Sequence, residues 1–158
     1  CVEVVVANLG DCRLVVCDHN GVARAVTRDH IAGDEREAAR VVAAGGHVMP
    51  AQDGKLRVLG KIEVTRSIGD KRFKPPLSAV PELHQEKVDE ADFMVLATDG
   101  IWGWLSSQQA ADMVRDTVKH ADFGAKRVVG AAMDAGSDDN LAAIVIYLRD
   151  PGGVQRVF

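Results

Sequence analysis

Three aspartates stand where an apolar stretch of this sequence meets a turn, and carboxylates in such places could bind a divalent cation. Asp11 and Asp99 each follow an apolar run, and Asp139 precedes the run Leu141–Leu148. Carboxylates that end neighbouring strands can converge on one rim of a sheet, where mutual repulsion would raise their pKa values. A hard cation relieves that repulsion, and ligation by oxygen alone favours Mg²⁺ or Mn²⁺.

A simpler interpretation of each aspartate is a turn residue. Asp99-Gly100 is a common turn dipeptide, because aspartate bonds to nearby backbone and glycine tolerates turn conformations. Spacing along the chain does not show that the three carboxylates meet. The residues alone therefore leave both a strand-ending turn and a metal site open.

The composition predicts one globular domain, or part of one. The 158 residues are 47% hydrophobic and 27% charged, which is enough to bury a core. The net charge of −4, without a cluster of lysines and arginines, argues against nucleic-acid binding. No apolar run is long enough to span a membrane. Three cysteines without CxxC spacing favour reduced thiols in an intracellular protein, cytoplasmic or nuclear.

The chain starts at Cys1, directly before a β-branched run. Natural domains seldom begin inside a core strand, so we expect a portion of a longer domain or a processed product. We also expect the isolated chain to have exposed apolar sheet edges that drive dimerisation.

The first part of the chain is predicted to form a β-meander followed by a helix. Strands are expected over Val2–Ala7, Cys12–Cys17 and Val22–Thr27. Asp34 is a suitable helix N-cap, with Glu37 at the spacing of a capping box, and a Gly-Gly pair ends the helix. The inward positions of this helix are predicted to be Ala38, Val41 and Val42.

The middle of the chain is predicted to be mostly extended. A hairpin is expected around Gln52–Gly54, and the Pro-rich segment Lys71–Pro76 is expected to be an exposed loop. Val80–Val88 is predicted to be a strand. His30 and His47, like His84, lack metal-ligand spacing and are predicted to be surface or loop residues.

The last part contains the most strongly apolar segments. Phe93–Leu96 predicts a strand buried on both faces, and Leu141–Leu148 predicts another continuous apolar strand. Between them, Ser106 and Gln109 have capping-box spacing before an amphipathic helix. The helices are predicted over Ser107–Lys119 and Phe123–Met133.

Seven short motifs occur in order along the chain: Ala7–Arg13, Thr27–His30, Glu37–Arg40 with Gly45–Val48, Arg57–Gly60, Val64–Asp70, Ala97–Trp102 and Gly136–Asn140. In these motifs and their order, the chain resembles the metal-dependent serine/threonine protein phosphatases of type 2C over about residues 2 to 149. Any one motif is weak, but seven in order make coincidence very unlikely.

The resemblance implies an α+β fold, a four-layer α-β-β-α sandwich of mostly antiparallel sheets, with its N-terminal part missing. Residues 1–149 would form a partial catalytic domain, and residues 150–158 a C-terminal tail. By match to the family, Asp99 and Asp139 are ligands of one of two core metals, and Asp11 helps to hold a third, weaker one. Arg66 and Asp70 match the segment before the family's mobile flap.

The resemblance also implies the chemistry. Two Mg²⁺ or Mn²⁺ ions about 4 Å apart lower the pKa of a shared water, which attacks the phosphorus of phosphoserine or phosphothreonine in a protein substrate. The family's N-terminal metal ligands, a Glu-Asp pair and an Asp-Gly-His-Gly motif, have no counterpart here, and Gly103 stands where the family has an acidic residue. An active phosphatase portion and an inactive pseudophosphatase or scaffold are therefore both expected possibilities.

Overall fold

A computed structural model describes residues 2–150 of the chain, apart from the side chains of residues 118, 119 and 121. The strands are β1 (Glu3–Asn8), β2 (Arg13–Asp18), β3 (Ala23–Ala25), β4 (Val48–Pro50), β5 (Leu56–Val58), β6 (Glu82–Lys87), β7 (Ala91–Ala97) and β8 (Ala143–Tyr147). The helices are α1 (Glu35–Ala43), α2 (Asp99–Trp102), α3 (Ser107–Asp116) and α4 (Gly124–Asp134), with 3-10 turns at Lys71–Phe73 and Val118–Phe123. No helix in this described part is both long and apolar enough to cross a membrane.

The described residues form two compact units. The first unit contains residues 2–6, 12–27 and 84–150, and the second contains residues 7–11 and 28–83. Strands pair in the orders β3-β2-β7-β8, β4-β5 and β1-β6. The expected mixture of helices with antiparallel sheets is confirmed. Apart from Asp150, the expected C-terminal tail lies outside the described residues.

Strand β7 is the central element of the first unit. It is hydrogen-bonded to β2 on one side and β8 on the other, with Val95 opposite both Val15 and Val145. Phe93 and Val95 are fully buried on one face, and Met94 is buried on the other. The prediction of a strand buried on both faces is confirmed for Phe93–Val95, where apolar clusters cover each side of β7, but Leu96 is 36% exposed on the face of Met94.

Two helices cover one face of this sheet. Ser106 and Gln109 form the predicted capping box at the start of α3. The helix ends at Asp116, three residues before the predicted end, and a 3-10 turn follows. The core between the helices and the sheet contains Ala110, Ala111, Val114, Val128 and Ala132.

Strand β8 is shorter than predicted, and one of its faces is exposed. It covers Ala143–Tyr147 only, and Ile144 and Ile146 are 56% and 40% exposed. Within the described sheet β8 is an edge strand. The helices cover only one of its faces, so the apolar run does not indicate burial on both.

In the second unit, α1 begins as predicted and packs differently. Asp34 is the N-cap and accepts hydrogen bonds from the amides of Arg36 and Glu37. Val41 is fully buried, but Val42 is 59% exposed, so its predicted inward position is wrong. The helix terminates before Gly45, whose positive φ of 81° suits glycine.

The segment Lys71–Pro76 is more ordered than predicted. It contains the 3-10 turn Lys71–Phe73, and Pro76 is buried. Lys74 Nζ donates to the carbonyl oxygen of Ser67 at 3.0 Å. A hydrogen bond to the backbone of a neighbouring segment therefore orders the Lys71–Pro76 segment, which its composition predicts to be an irregular, exposed loop.

Glu37 is the electrostatic centre of the second unit, in place of the capping box that the sequence predicts. In a capping box the Glu37 side chain would accept a hydrogen bond from the amide of Asp34, but that amide donates to the carbonyl of Ile31 instead. Glu37 is 5% exposed, and its carboxylate accepts hydrogen bonds from Arg40, Arg66 and Thr65 Oγ1. Burial alone would raise the pKa of Glu37, but hydrogen bonds from Arg66, Arg40 and Thr65 outweigh it and lower the pKa to about 2.

We expect Glu37→Gln to lower the free energy of unfolding at pH 7 by about 3 kcal/mol, because Arg40 and Arg66 lose their buried counter-charge. The folded-state pKa of Glu37 lies below its ordinary value of 4.5, so its stabilisation is present above that value and is lost as the pH falls towards 2. Urea unfolding at about pH 7 and pH 3.5 should show a smaller difference between native and variant chains at the lower pH.

Glu35→Gln on the same helix is the matched control, since Glu35 is exposed. Its unfolding free energy should stay within about 0.5 kcal/mol of the native value at both pH values. An effect of Glu37→Gln that is equal at both pH values would contradict a role for the charged carboxylate.

Candidate metal centre

Asp99 lies at the point where β7 passes into the short helix α2. Thr98 is the N-cap of α2, and Asp99 occupies its first turn. The carboxylate is exposed, and its Oδ1 accepts a hydrogen bond of 3.0 Å from the amide of Gly100. Asp99 therefore presents a carboxylate to solvent at the end of a buried strand, as the sequence predicts.

Asp139 lies in the loop that leads into β8. Its carboxylate is also exposed, and Oδ1 accepts a hydrogen bond of 2.7 Å from the amide of Asn140. In the antiparallel pairing of β7 with β8, the last residue of β7, Ala97, lies opposite Ala143. The end of β7 therefore meets the start of β8.

Backbone contacts extend this pairing into the two loops. Thr98 donates its amide to the carbonyl of Ala142 at 3.1 Å, and Thr98 Oγ1 donates to the carbonyl of Asn140 at 3.2 Å. Ser137 Oγ donates to the carbonyl of Gly100 at 2.8 Å. The loops that carry Asp99 and Asp139 are therefore joined by hydrogen bonds.

Gly100 allows the closest approach between these loops. A Cβ atom at this position would lie 2.7 Å from the carbonyl oxygen of Asn140 and 3.2 Å from the Cβ of Asp139. Only glycine leaves room for this contact. The structure thus brings the residue after Asp99 directly against Asp139.

The two carboxylates fit a hard divalent cation as part of a ligand set. In each, one oxygen is held by the following backbone amide, and the other makes no hydrogen bond within residues 2–150. Mg²⁺ commonly binds one or two carboxylates and keeps several waters. Residues 2–150 contain no group of three or more His, Cys, Asp or Glu side chains that could hold a metal. They thus supply two carboxylates and no larger cluster.

Asp11 lies in the second unit. It follows Gly10, whose φ is 108°, in the turn after β1, and it is half-buried. Gly10 exchanges two hydrogen bonds with His30: its amide donates to Nδ1 at 3.2 Å, and its carbonyl accepts from the His30 amide at 2.9 Å. The turn that carries Asp11 is therefore held by a histidine side chain and its backbone.

His30 lies in a loop, as predicted, but it is 1% exposed and is therefore not a surface residue. Because Nδ1 accepts from Gly10, the ring proton lies on Nε2, which donates to Glu82 Oε2 at 3.1 Å. The prediction used only the lack of metal-ligand spacing, which does not distinguish an exposed histidine from a buried one that is hydrogen-bonded to backbone and carboxylate. Nothing else in the sequence around His30 indicates its burial.

Trp102 lies in the same short helix as Asp99 and packs against the sheet. Trp102 is buried, and its indole Nε1 donates to the carbonyl of Ala97 at 2.8 Å. The guanidinium of Arg13 lies 5.4 Å from the centre of the Trp102 ring. Asp138 is exposed. Trp102 thus has a packing role beside the carboxylates, which leaves Asp99 and Asp139 as the candidate ligands.

Comparison with known sequences gives one consistent result. The family model for Protein phosphatase 2C matches residues 3–141. The chain is 40% identical to Probable protein phosphatase 2C 59 of Arabidopsis thaliana over 153 residues, which is 96% of this chain and 48% of that protein. It is 40% identical to Probable protein phosphatase 2C 71 of the same plant, covering 91% of this chain and 32% of that protein. The chain thus spans less than half the length of these two curated relatives.

Solved structures show the same likeness. A sex determining protein of C. elegans superposes with a TM-score of 0.89 at 32% identity, covering 96% of this chain and 38% of that one. A phosphatase from Toxoplasma gondii superposes with a TM-score of 0.82 at 25% identity, covering 99% of this chain and 50% of that one.

We expect Gly100→Ala to destabilise the chain by about 1–3 kcal/mol, because the added methyl group would overlap the carbonyl of Asn140. Gly130→Ala is the matched control, since a Cβ there meets no atom within 4 Å and lies within α4. This control should stabilise the chain by up to about 1 kcal/mol. Thermal unfolding followed by calorimetry measures both effects, and similar shifts in the two variants would contradict the close contact of the two loops.

Proposed function

The chain belongs to the protein phosphatase 2C family, and on that premise we propose that residues 1–149 are part of the catalytic domain of a metal-dependent protein serine/threonine phosphatase. Residues 150–158 are proposed to be a C-terminal tail. The substrates would be proteins that carry phosphoserine or phosphothreonine. The observation that carries the proposal is the contact between the loops of Asp99 and Asp139.

Asp99 and Asp139 are proposed to hold Mg²⁺ or Mn²⁺ at this rim of the sheet. When bound, the metal would supply Lewis acidity and lower the pKa of water towards neutrality. The chain contributes the orientation of the ligands, because backbone amides hold one oxygen of each carboxylate and leave the other available. Asp11 is proposed to help hold a third, more weakly bound ion.

A catalytically inactive scaffold or regulatory protein of the same fold is the second candidate. One observation favours it: Gly103 follows Trp102, where the family resemblance implies an acidic side chain. Such a protein would bind phosphorylated partners without turnover. Metal binding and turnover must therefore be measured separately.

We expect Asp99→Asn and Asp139→Asn each to weaken Mn²⁺ binding at least tenfold, because each removes one anionic ligand from the site. The loss of the free Mn²⁺ signal in electron paramagnetic resonance measures binding to the chain directly. Asp138→Asn is the matched control, since Asp138 is the exposed neighbour of Asp139. It should change the affinity less than twofold.

Release of phosphate from a phosphothreonine peptide tests the activity of the same samples. Turnover that needs Mn²⁺, stops with excess chelator and is lost in Asp99→Asn would support the phosphatase. Mn²⁺ binding without turnover would support the inactive alternative. Equal Mn²⁺ affinity in the Asp99, Asp138 and Asp139 variants would contradict the assigned ligands.

We also propose that the chain self-associates through the exposed face of β8. Leu96 lies opposite Ile144, and Met94 lies opposite Ile146, so these apolar residues share one face of the sheet. Ile144, Ile146 and Leu96 are all exposed. Exposed apolar residues on an edge strand favour pairing with a second chain.

Sedimentation velocity should therefore show a dimer whose population rises with protein concentration. Ile144→Lys should shift it towards monomer, because a charge would be buried in the contact. Met133→Lys is the control, since Met133 is equally exposed but lies on α4. A monomeric native chain at high concentration would contradict this proposal.

A further inference from the structure

A polar cleft of about 210 Å³ opens in the second unit beside the start of α1. Four arginines line it: Arg28, Arg36, Arg40 and Arg66. We propose that this cleft binds a phosphate monoester dianion through Arg28 and Arg36. The proposal goes beyond the hydrolysis proposed above and does not need it, because binding here requires no metal.

Arg40 and Arg66 form the inner wall of the cleft and are occupied by the protein itself. Both donate to Glu37. Arg40 also donates to the carbonyls of Thr65 and Pro76, at 2.7 Å and 3.1 Å, and Arg66 donates to the carbonyl of Val80 at 3.2 Å. These two guanidinium groups therefore give the cleft a rigid wall and have few donors left for a ligand.

The carboxylates that line the cleft are also occupied. Asp34 Oδ1 accepts from the first amides of α1, and its Oδ2 lies 3.6 Å from Arg28. Glu37 is occupied by its arginine partners, and Glu82 accepts a hydrogen bond from His30 Nε2. Four arginines against three carboxylates leave a formal charge of +1 in the cleft. The negative groups are thus held by internal donors and do not close the site to an anion.

Arg28 and Arg36 are the two arginines available at the mouth. The side chain of Arg28 is 55% exposed, and its contact with Asp34 is close to the longest distance of an ion pair. The exposed side chain of Arg36 makes no hydrogen bond or ion pair within residues 2–150. Both guanidinium groups therefore have donors to offer a ligand.

The position of Arg36 also favours a bound anion. It lies in the first turn of the nine-residue helix α1, where the helix dipole disfavours a positive charge. A dianion between Arg36 and Arg28 would reverse that unfavourable interaction. A guanidinium group forms paired hydrogen bonds with two oxygens of a phosphate. A phosphate has enough oxygens to pair with both arginines in this way, whereas a single carboxylate can pair with only one.

The shape and charge of the cleft point to a single phosphate group. Its volume suits one tetrahedral anion with a short side chain attached. The net charge of −4 for the chain disfavours a longer polyanion such as nucleic acid. The phosphate could be free in solution or could belong to a phosphorylated serine or threonine, and these two sources share the same chemistry.

The test is a titration of the metal-free chain, in excess chelator, followed by NMR of the arginine side-chain Nε–Hε signals. The probes are inorganic phosphate, a phosphothreonine peptide and the same peptide without phosphate. We expect the signals of Arg28 and Arg36 to shift saturably with the first two probes and not with the third. Arg28→Gln and Arg36→Gln should each weaken binding about tenfold, because each removes a charge-assisted pair of hydrogen bonds.

Arg127→Gln on α4 is the matched control and should leave the affinity unchanged, since Arg127 is exposed and lies in the other unit. Tighter binding of the phosphopeptide than of phosphate would identify a phosphorylated side chain as the ligand, and equal binding would identify free phosphate. Arg36→Lys keeps the charge without the planar fork and should weaken binding less than Arg36→Gln, which guards against a folding defect in one variant. Unshifted signals, or equal weakening by all three glutamine variants, would overturn the proposal.

Discussion

The antiparallel hydrogen bonding between β7 and β8 is the interaction on which the candidate metal centre depends. It places the carboxyl end of one strand beside the amino end of the other, with Ala97 opposite Ala143. Asp99 follows the first strand and Asp139 precedes the second, although 40 positions separate them in the chain. Burial of Phe93 and Val95 stabilises the strand that holds this geometry.

The close placement of these two carboxylates has no stabilising purpose of its own. Within residues 2–150 neither makes an ion pair with Lys or Arg, and their only hydrogen bonds are to the adjacent amides. Two exposed like charges in contacting loops repel each other weakly in water. The divalent cation proposed above would offset that repulsion.

A second constraint, the need to compensate a buried carboxylate, organises the other unit. Glu37 is inside the protein, so it requires positive partners, and it takes them from Arg40 and Arg66. Those arginines also bond to the backbone around Thr65 and Pro76 and thereby order segments without regular structure. Of the four arginines that line the cleft, Arg40 and Arg66 therefore compensate the charge of Glu37. The more exposed Arg28 and Arg36 are the proposed ligand contacts.

The sequence by itself determined the local elements and the family, because their signals are carried by neighbouring residues. The caps at Asp34 and Ser106 and the buried strand β7 are all patterns of this kind, and the ordered motifs identify the phosphatase family. Only the tertiary structure decided which of these residues are covered. Local spacing predicts that Glu37 is half of a capping box, whereas its actual partner Arg66 is 29 residues away, and His30 is buried by contacts with Gly10 and Glu82. Whether a residue is buried depends on which distant elements pack against it. A single sequence indicates this packing only indirectly, through the type of residue at each position.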